Sequence, residues 1–116
     1  MKIKSLVSLI IFFIILGCES KKTEDNSWLK NGTLHKATVA EWKKANDENK
    51  MATCADFVVS LKESDSKKFE TISDIKVSAL EMKNCLDEAV NGDSITDDMK
   101  INEIAVLCHI NLKSFY

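Results

Sequence analysis

The sequence contains no proline and only three glycines among its 116 residues. Proline and glycine are the residues that most often mark turns, so little of this chain is built from tight turns. Apolar residues make up 45% of the sequence, and few of them alternate with polar residues in the way that half-buried strands require. The composition favours α-helices packed on one modest core.

Catalytic signatures are also lacking. The chain has no glycine-rich phosphate loop, no Gly-x-Ser-x-Gly and no His-Glu-x-x-His. Adjacent carboxylates occur at Asp87-Glu88 and at Asp97-Asp98. Neighbouring side chains diverge on a helix, so these pairs are solvated or capping charges before they are an acid–base pair. The sequence predicts that the protein is not an enzyme.

The N-terminal residues have the order of an export signal. Lys2 and Lys4 give a positive start, and an almost unbroken apolar run follows from Leu6 to Leu16. The run is too short for a finished transmembrane helix and suits a signal-peptide core. A small residue, Gly17, then precedes Cys18. The alternative is an N-terminal transmembrane anchor that merely contains a cysteine.

The four residues Ile15-Leu16-Gly17-Cys18 resemble the lipobox of bacterial lipoproteins. The resemblance implies that residues 1–17 are a signal peptide that is removed. It also implies that Cys18 carries lipid on its thiol and on its new amino group. Lipoproteins kept at the inner membrane often have Asp after this cysteine, whereas this chain has Glu19. The expected location is therefore the cell envelope, lipid-anchored to the outer membrane and facing the periplasm.

Beyond the signal peptide, the chain divides into a tether and one domain. Residues 18–27 comprise the lipidated cysteine and a stretch from Glu19 to Ser27 with no apolar residue, which is typical of a flexible tether. Residues 28–116 form the predicted helical domain. Loss of Lys2 and Lys4 reduces the 16 basic residues to 14 against 18 acidic ones, a balance that disfavours a nucleic-acid partner.

Three helices are predicted, at about 38–62, 72–90 and 97–115. The first begins with the capping box Thr38-Val39-Ala40-Glu41. Its two ends carry apolar residues on nearly opposite sides, and the change falls in the polar stretch 46–49. We interpret this as one helix with different neighbours at its two ends, with a kink as the alternative.

The other two helices have continuous apolar stripes. Short connections between such helices predict a small all-α domain, an up-down-up three-helix bundle. The stripes are formed by Ile75, Ala79, Met82, Leu86 and Ala89 in the second helix, and by Ile101, Ile104, Ala105, Cys108, Leu112 and Phe115 in the third.

With Cys18 lipidated, Cys54, Cys85 and Cys108 remain, in a compartment that permits disulfides. At 1.5 Å per residue of helix, all three fall in roughly one layer of the bundle. Cys85 lies at the edge of its stripe and can reach either neighbour. We expect a Cys85–Cys108 disulfide first and Cys85–Cys54 second, with the remaining cysteine a buried apolar residue.

A zinc site is the competing hypothesis for these cysteines. Three thiolates in one layer with a histidine would suit tetrahedral zinc. Against it, the chain has no Cys-x-x-Cys, His35 lies near a turn, and His109 points about 100° away from Cys108 on the same helix. We therefore predict no metal ligand and no cofactor.

Residues 28–57, together with Glu103, Ile104, Ala105 and Cys108, also resemble a family of small helical proteins exported by bacteria. This resemblance implies a fold and no activity. The sequence as a whole predicts a non-enzymatic envelope lipoprotein that binds another envelope protein, as an inhibitor, an immunity protein, an assembly factor or a holdase. The alternative function is a carrier of a small ligand or of zinc.

Overall fold

The computed structural model describes residues 26–92 and 94–113. Within these ranges the chain forms four α-helices: α1 Val39–Lys44, α2 Asp47–Ser64, α3 Ile72–Ala89 and α4 Ile101–Lys113. Single 3₁₀ turns at Ser27–Leu29 and Ser94–Thr96 precede α1 and α4. The β-type backbone pairing in this part of the chain consists of one isolated antiparallel bridge between Thr38 and Lys100. The predicted all-α fold class is confirmed.

The helix predicted over 38–62 is two helices, so the expectation of one continuous helix is wrong. The backbone is extended at Ala45 (ψ 156°) and at Asn46 (ψ 160°), which ends α1 and starts α2. The side chain of Asn46 accepts a hydrogen bond from the Asn49 N–H at 2.8 Å. Asparagine competes with the backbone for hydrogen bonds and so favours a cap over a helix interior. The break lets α1 and α2 each bury apolar residues that would lie on opposite sides of one continuous helix.

The start of α1 follows the predicted capping box. The Thr38 hydroxyl accepts from the Glu41 N–H at 3.3 Å, and the Glu41 carboxylate accepts from the Thr38 N–H at 3.5 Å. Two N–H groups that the helix leaves unpaired are satisfied in this way. The predicted helix at 72–90 is also confirmed, as α3.

The last helix begins at Ile101 and not near 97. The carbonyls of Asp97 and Met99 accept hydrogen bonds from the N–H groups of Ala40 (3.1 Å) and Val39 (2.9 Å). The Ile101 N–H donates in turn to the Ala37 carbonyl at 2.9 Å. Residues 97–100 therefore pair with the chain around the start of α1 instead of joining the helix.

The core lies between α2, α3 and α4, which form the three-helix bundle, while α1 packs across one end of it. Trp42 of α1, Met82 and Leu86 of α3 and Ile101 of α4 are fully buried. Val39, Cys54, Ala55, Val58, Ala79, Ile104, Ala105 and Cys108 join the same cluster. This cluster, with the half-buried Trp28 packed on it, spans residues 28–108, so the chain beyond the tether carries its own core.

The segment before α1 packs along α2. The Leu34 N–H donates to the Thr53 hydroxyl at 3.2 Å. A Cβ atom at Gly32 would lie only 2.7 Å from the Thr53 backbone nitrogen. The absence of a side chain at Gly32 thus allows the segment to approach the helix backbone closely.

Candidate functional site

A disulfide joins Cys85 of α3 to Cys108 of α4, with a Cα–Cα distance of 6.0 Å. Cys108 is buried in its helix stripe and Cys85 is half-buried at the edge of its own. The first of the two predicted pairings is confirmed. The bond links two helices that are consecutive in the chain and fixes the spacing between them.

Cys54 is the third cysteine, and its thiol is free and buried. The second predicted pairing, Cys85–Cys54, is therefore not formed. Burial raises the pKa of the Cys54 thiol to about 12, and the nearby Asp87 carboxylate acts in the same direction. Because the thiolate is the reactive form of cysteine, Cys54 is a protonated core residue at neutral pH.

The residues of the alternative zinc hypothesis do not converge. The disulfide takes up two of the three thiols, and each histidine faces a carboxylate. His35 pairs with Asp56 at 2.7 Å, and His109 pairs with Asp65 at 2.8 Å. Across residues 26–92 and 94–113, no three His, Cys, Asp or Glu side chains are grouped as metal ligands would be.

One half-buried carboxylate joins α1, α2 and α3. Asp87 accepts hydrogen bonds from the Trp42 indole N–H at 2.9 Å, from Lys83 at 3.1 Å and from Lys50 at 3.2 Å. Burial opposes ionisation of Asp87, but these hydrogen bonds outweigh it and lower the pKa of its carboxyl. The ammonium of Lys50 also lies 5.4 Å from the centre of the Trp42 ring. We interpret this cluster as structural, since its carboxylate is fully engaged in joining helices.

A groove of about 700 Å³ opens at the opposite end of the bundle from α1. It lies between the α2–α3 loop, the first half of α3 and the end of α4, and we call it the basal groove. Its apolar lining consists of Val58, Phe69, Val77, Met82 and Leu112. Met82 and Val58 are buried at its floor, whereas Val77 exposes 59% of its surface.

The charged rim of the basal groove has both signs. The basic side chains are Lys62 of α2 and Lys67 and Lys68 of the loop. The acidic side chains are Glu70 of the loop and Asp74 and Glu81 of α3. The ammonium of Lys62 lies 4.1 Å from the centre of the Phe69 ring, within the range of a cation–π contact. An apolar floor inside a mixed charged rim can bind a segment that has both apolar and charged side chains.

Asp65 ties the loop to α4 at one side of this groove. Its carboxylate accepts hydrogen bonds from Lys113 and from the Nε2–H of His109. The hydrogen bond from Lys113 is the main cause, and that from His109 the second, of a lowered pKa at Asp65. The wall of the groove is therefore held by an ionised carboxylate at neutral pH.

Sequence reasoning missed both the groove and the two carboxylate clusters. The gap between the helices predicted at about 38–62 and 72–90 left room for a loop, but the packing of that loop against α4 was not visible. A weak signal for the Asp87 cluster exists, because Lys83 precedes Asp87 by four residues and shares its helix face.

The prediction for the N-terminus, a signal peptide at 1–17 and a lipidated Cys18, lies outside the described residues. In the described part of the chain, no helix has the length and apolar character needed to cross a membrane.

Comparison with protein-family models, curated proteins and solved structures finds no match to this chain. The two resemblances that the sequence suggests therefore stay predictions.

Proposed function

We propose that this chain is a lipid-anchored protein of the bacterial cell envelope whose helical domain binds another protein in the basal groove. The observation that carries the proposal is the open apolar lining of that groove. Val58 and Met82 at the floor of the groove belong to the core, whereas Val77 at its side leaves 59% of its surface in solvent. Apolar surface of this kind, rimmed by polar residues, is typical of interaction sites.

The chemistry of the rim favours a protein partner. A protein interface has an apolar centre and a polar rim with charges of both signs, and the basal groove has this arrangement. A nucleic acid would require a mainly positive surface, whereas the whole chain has a formal net charge of −2. The partner in this proposal presents an apolar side chain to Val77 and Leu112, and polar groups to the rim.

The anchoring part of the proposal is supported by the sequence alone. The lipobox resemblance at Cys18 supplies the lipid, and residues 18–27 supply a tether that holds the domain near the outer membrane on its periplasmic side. Two or more acyl chains give stable attachment, because each buried CH₂ contributes about 0.8 kcal/mol. The membrane is thus the first partner and an envelope protein the second.

A small-ligand carrier is the second candidate function. The volume of the groove lies in the range of roughly 300–1,000 Å³ that small-molecule sites occupy. The buried Met82 and Val58 would give such a ligand an apolar floor. The wide charged rim of the groove fits a protein segment better than a small ligand.

Photo-crosslinking of the full chain in living cells tests the binding site. A photoreactive amino acid replaces Val77 inside the groove or, as a matched control, Leu80 on the same helix, which is 49% exposed and does not line it. A discrete protein adduct at position 77 and none at 80 is the expected result. An adduct of less than about 1 kDa at position 77 would favour the carrier, and equal adducts at both positions would contradict the proposed site.

Anchoring has its own test. Cys18→Ser should leave the precursor uncut and unlabelled by a radioactive fatty acid, since the modified thiol is lost. Processing and labelling of this variant at the wild-type level would overturn the lipoprotein proposal and leave the groove experiment unaffected.

A further inference from the structure

Helix α4 is apolar on the side that faces solvent as well as on the side that faces the core. It buries Ile101, Ile104, Ala105 and Cys108. On the opposite side Val106, Leu107 and Ile110 expose 45%, 61% and 60% of their surface. A surface helix normally carries charged and polar residues opposite its core stripe. Three neighbouring exposed apolar side chains on one short helix indicate an interaction surface.

The exposed apolar residues belong to a stripe in which two pairs of residues are equidistant from the level of Cys108. Glu103, Val106, Leu107, Ile110 and Lys113 follow the spacing i, i+3, i+4, i+7 and i+10, which places them on one face of the helix. Val106 and Ile110 lie two positions on either side of Cys108. Glu103 and Lys113 lie five positions on either side of it, and their charges are opposite.

We propose that this outer stripe of α4 binds the same stripe of a second copy of the chain, with the two helices antiparallel about a two-fold axis. Such an axis brings residues that are equidistant from it on the two copies opposite each other. Glu103 then faces Lys113 of the second copy, and Val106 faces Ile110 of the second copy. The ion pair and the apolar contact therefore each occur twice, as an isologous interface requires.

The charge pattern selects this occupant over others. A lipid surface is bound by apolar stripes that are flanked by basic residues, and Glu103 opposes that. A different protein would not require Glu103 and Lys113 to be equally distant from the centre of the stripe. Self-pairing matches Glu103 with Lys113 and Val106 with Ile110, and it leaves Leu107 one position from the level of the two-fold axis.

The dimer is expected to be weak and compatible with the proposed binding site. A helix of 13 residues is about 20 Å long at 1.5 Å per residue, so the contact falls below the area of a standard stable interface. His109 and Leu112 lie on the groove side of α4 and stay accessible in the dimer, and Lys113 lies where the stripe and the groove meet. If the chain is lipid-anchored as proposed above, confinement to one membrane would raise the local concentration of the copies.

Sedimentation equilibrium tests the pairing without the anchor, on the chain from position 18 with Cys18→Ser, which contains the whole core cluster. A concentration-dependent monomer–dimer equilibrium is expected. Leu107→Asp should weaken it at least about tenfold, since a charge replaces the central apolar contact. Ile95→Asp is the matched control, because Ile95 is 83% exposed and lies outside the stripe. Circular dichroism confirms that each variant is folded.

Charge reversal gives the sharper result. Glu103→Lys and Lys113→Glu should each dimerise poorly alone, because like charges then meet at both ends. A mixture of the two single variants should form a heterodimer near the wild-type level, since every pair is again opposite in charge. Because Lys113 also bonds Asp65, the double variant Glu103→Lys/Lys113→Glu is compared as well and should dimerise.

Three outcomes would overturn the proposal. The first is a chain that stays monomeric at concentrations on the order of 0.5 mM, at which even a weak dimer would be populated. The second is a dimer that is insensitive to Leu107→Asp, which would place the contact elsewhere. The third is binding of the unlipidated chain to anionic phospholipid vesicles that Leu107→Asp removes, without self-association. That result would assign the stripe to a lipid surface. None of these results depends on the groove or on Cys18.

Discussion

The indole N–H of Trp42 donates a hydrogen bond of 2.9 Å to the carboxylate of Asp87, which is 45 positions later in the chain. Trp42 is fully buried, and an unpaired polar group at a buried position costs its full desolvation. The bond therefore couples the position of α1 to that of α3. Lys50 and Lys83 also form ion pairs with this carboxylate. Lys50 thereby brings α2 into the cluster.

Replacement of Asp87 by alanine should lower the free energy of unfolding by about 2 to 3 kcal/mol, because it leaves the buried Trp42 N–H without its acceptor and removes the carboxylate that Lys50 and Lys83 share. Urea denaturation monitored by tryptophan fluorescence measures the change. The control is Glu88→Ala at the adjacent exposed position, where a surface substitution changes stability by no more than about 0.5 kcal/mol. Equal losses in the two variants would show that Asp87 does not join the helices.

Asp65 should make stability depend on pH in the acid range. The pKa of its carboxyl is lowered from the ordinary 3.8 by hydrogen bonds from Lys113 and His109. The stabilisation is therefore complete well above pH 3.8 and is lost as the pH falls through the lowered value. Asp65→Asn should be less stable than the wild type at pH 7, and the difference should shrink below pH 3.8.

Thermal melts of both proteins from pH 7 to pH 2 measure this dependence. Asp98→Asn, which changes an exposed carboxylate outside the cluster, serves as the control. A wild-type-minus-variant difference that stays constant across the whole range would contradict the assignment to Asp65.

Peptide mapping without reductant should recover Cys85 linked to Cys108 and Cys54 as a free thiol. Cys85→Ser/Cys108→Ser should lose about 3 kcal/mol of stability, since the bond closes a loop with a sequence separation of 23. Reduced wild-type protein is the matched control and should show a similar loss. Recovery of Cys54 in a disulfide with either partner would overturn the assigned pairing.

Gly32→Ala should destabilise the domain by about 1 to 3 kcal/mol, because the added Cβ would overlap the backbone of α2. The nearest atoms would be Thr53 N at 2.7 Å and Ala52 C at 2.9 Å. Gly92→Ala provides the comparison. Gly92 has φ +92° and open space around its Cβ position, so the cost there is about 1 kcal/mol of backbone strain. A larger loss at Gly92 than at Gly32 would contradict the close approach to α2.

Features that depend on neighbouring residues were predictable from the sequence. The stripe at Ala79, Met82 and Leu86 predicts α3 because its period is a property of the helix itself. The capping box at Thr38 and Glu41 is equally local. Helix rise placed the three cysteines in roughly one layer, and the edge position of Cys85 left both Cys108 and Cys54 as possible partners, with Cys108 expected first.

The interruption at Asn46 was not predicted. The polar stretch at 46–49 and the change of apolar face were both visible in the sequence, but they were interpreted as one helix, with a kink as the alternative. What favours the break is burial: Trp42 reaches the core and Asp87 only when α1 turns away from α2. The stabilising contact with Asp87 comes from a residue 45 positions later in the chain.

The sequence by itself determined that this chain is helical, where α3 lies and which cysteines can meet, because helix period, capping and rise act over a few residues. Only the tertiary structure decided where α4 begins and what surrounds the basal groove. Residues 97–100 pair with the backbone around the start of α1 at Ala37, Val39 and Ala40, and the groove is assembled from a loop and two helices. Both depend on contacts between distant segments, whose geometry no local pattern contains.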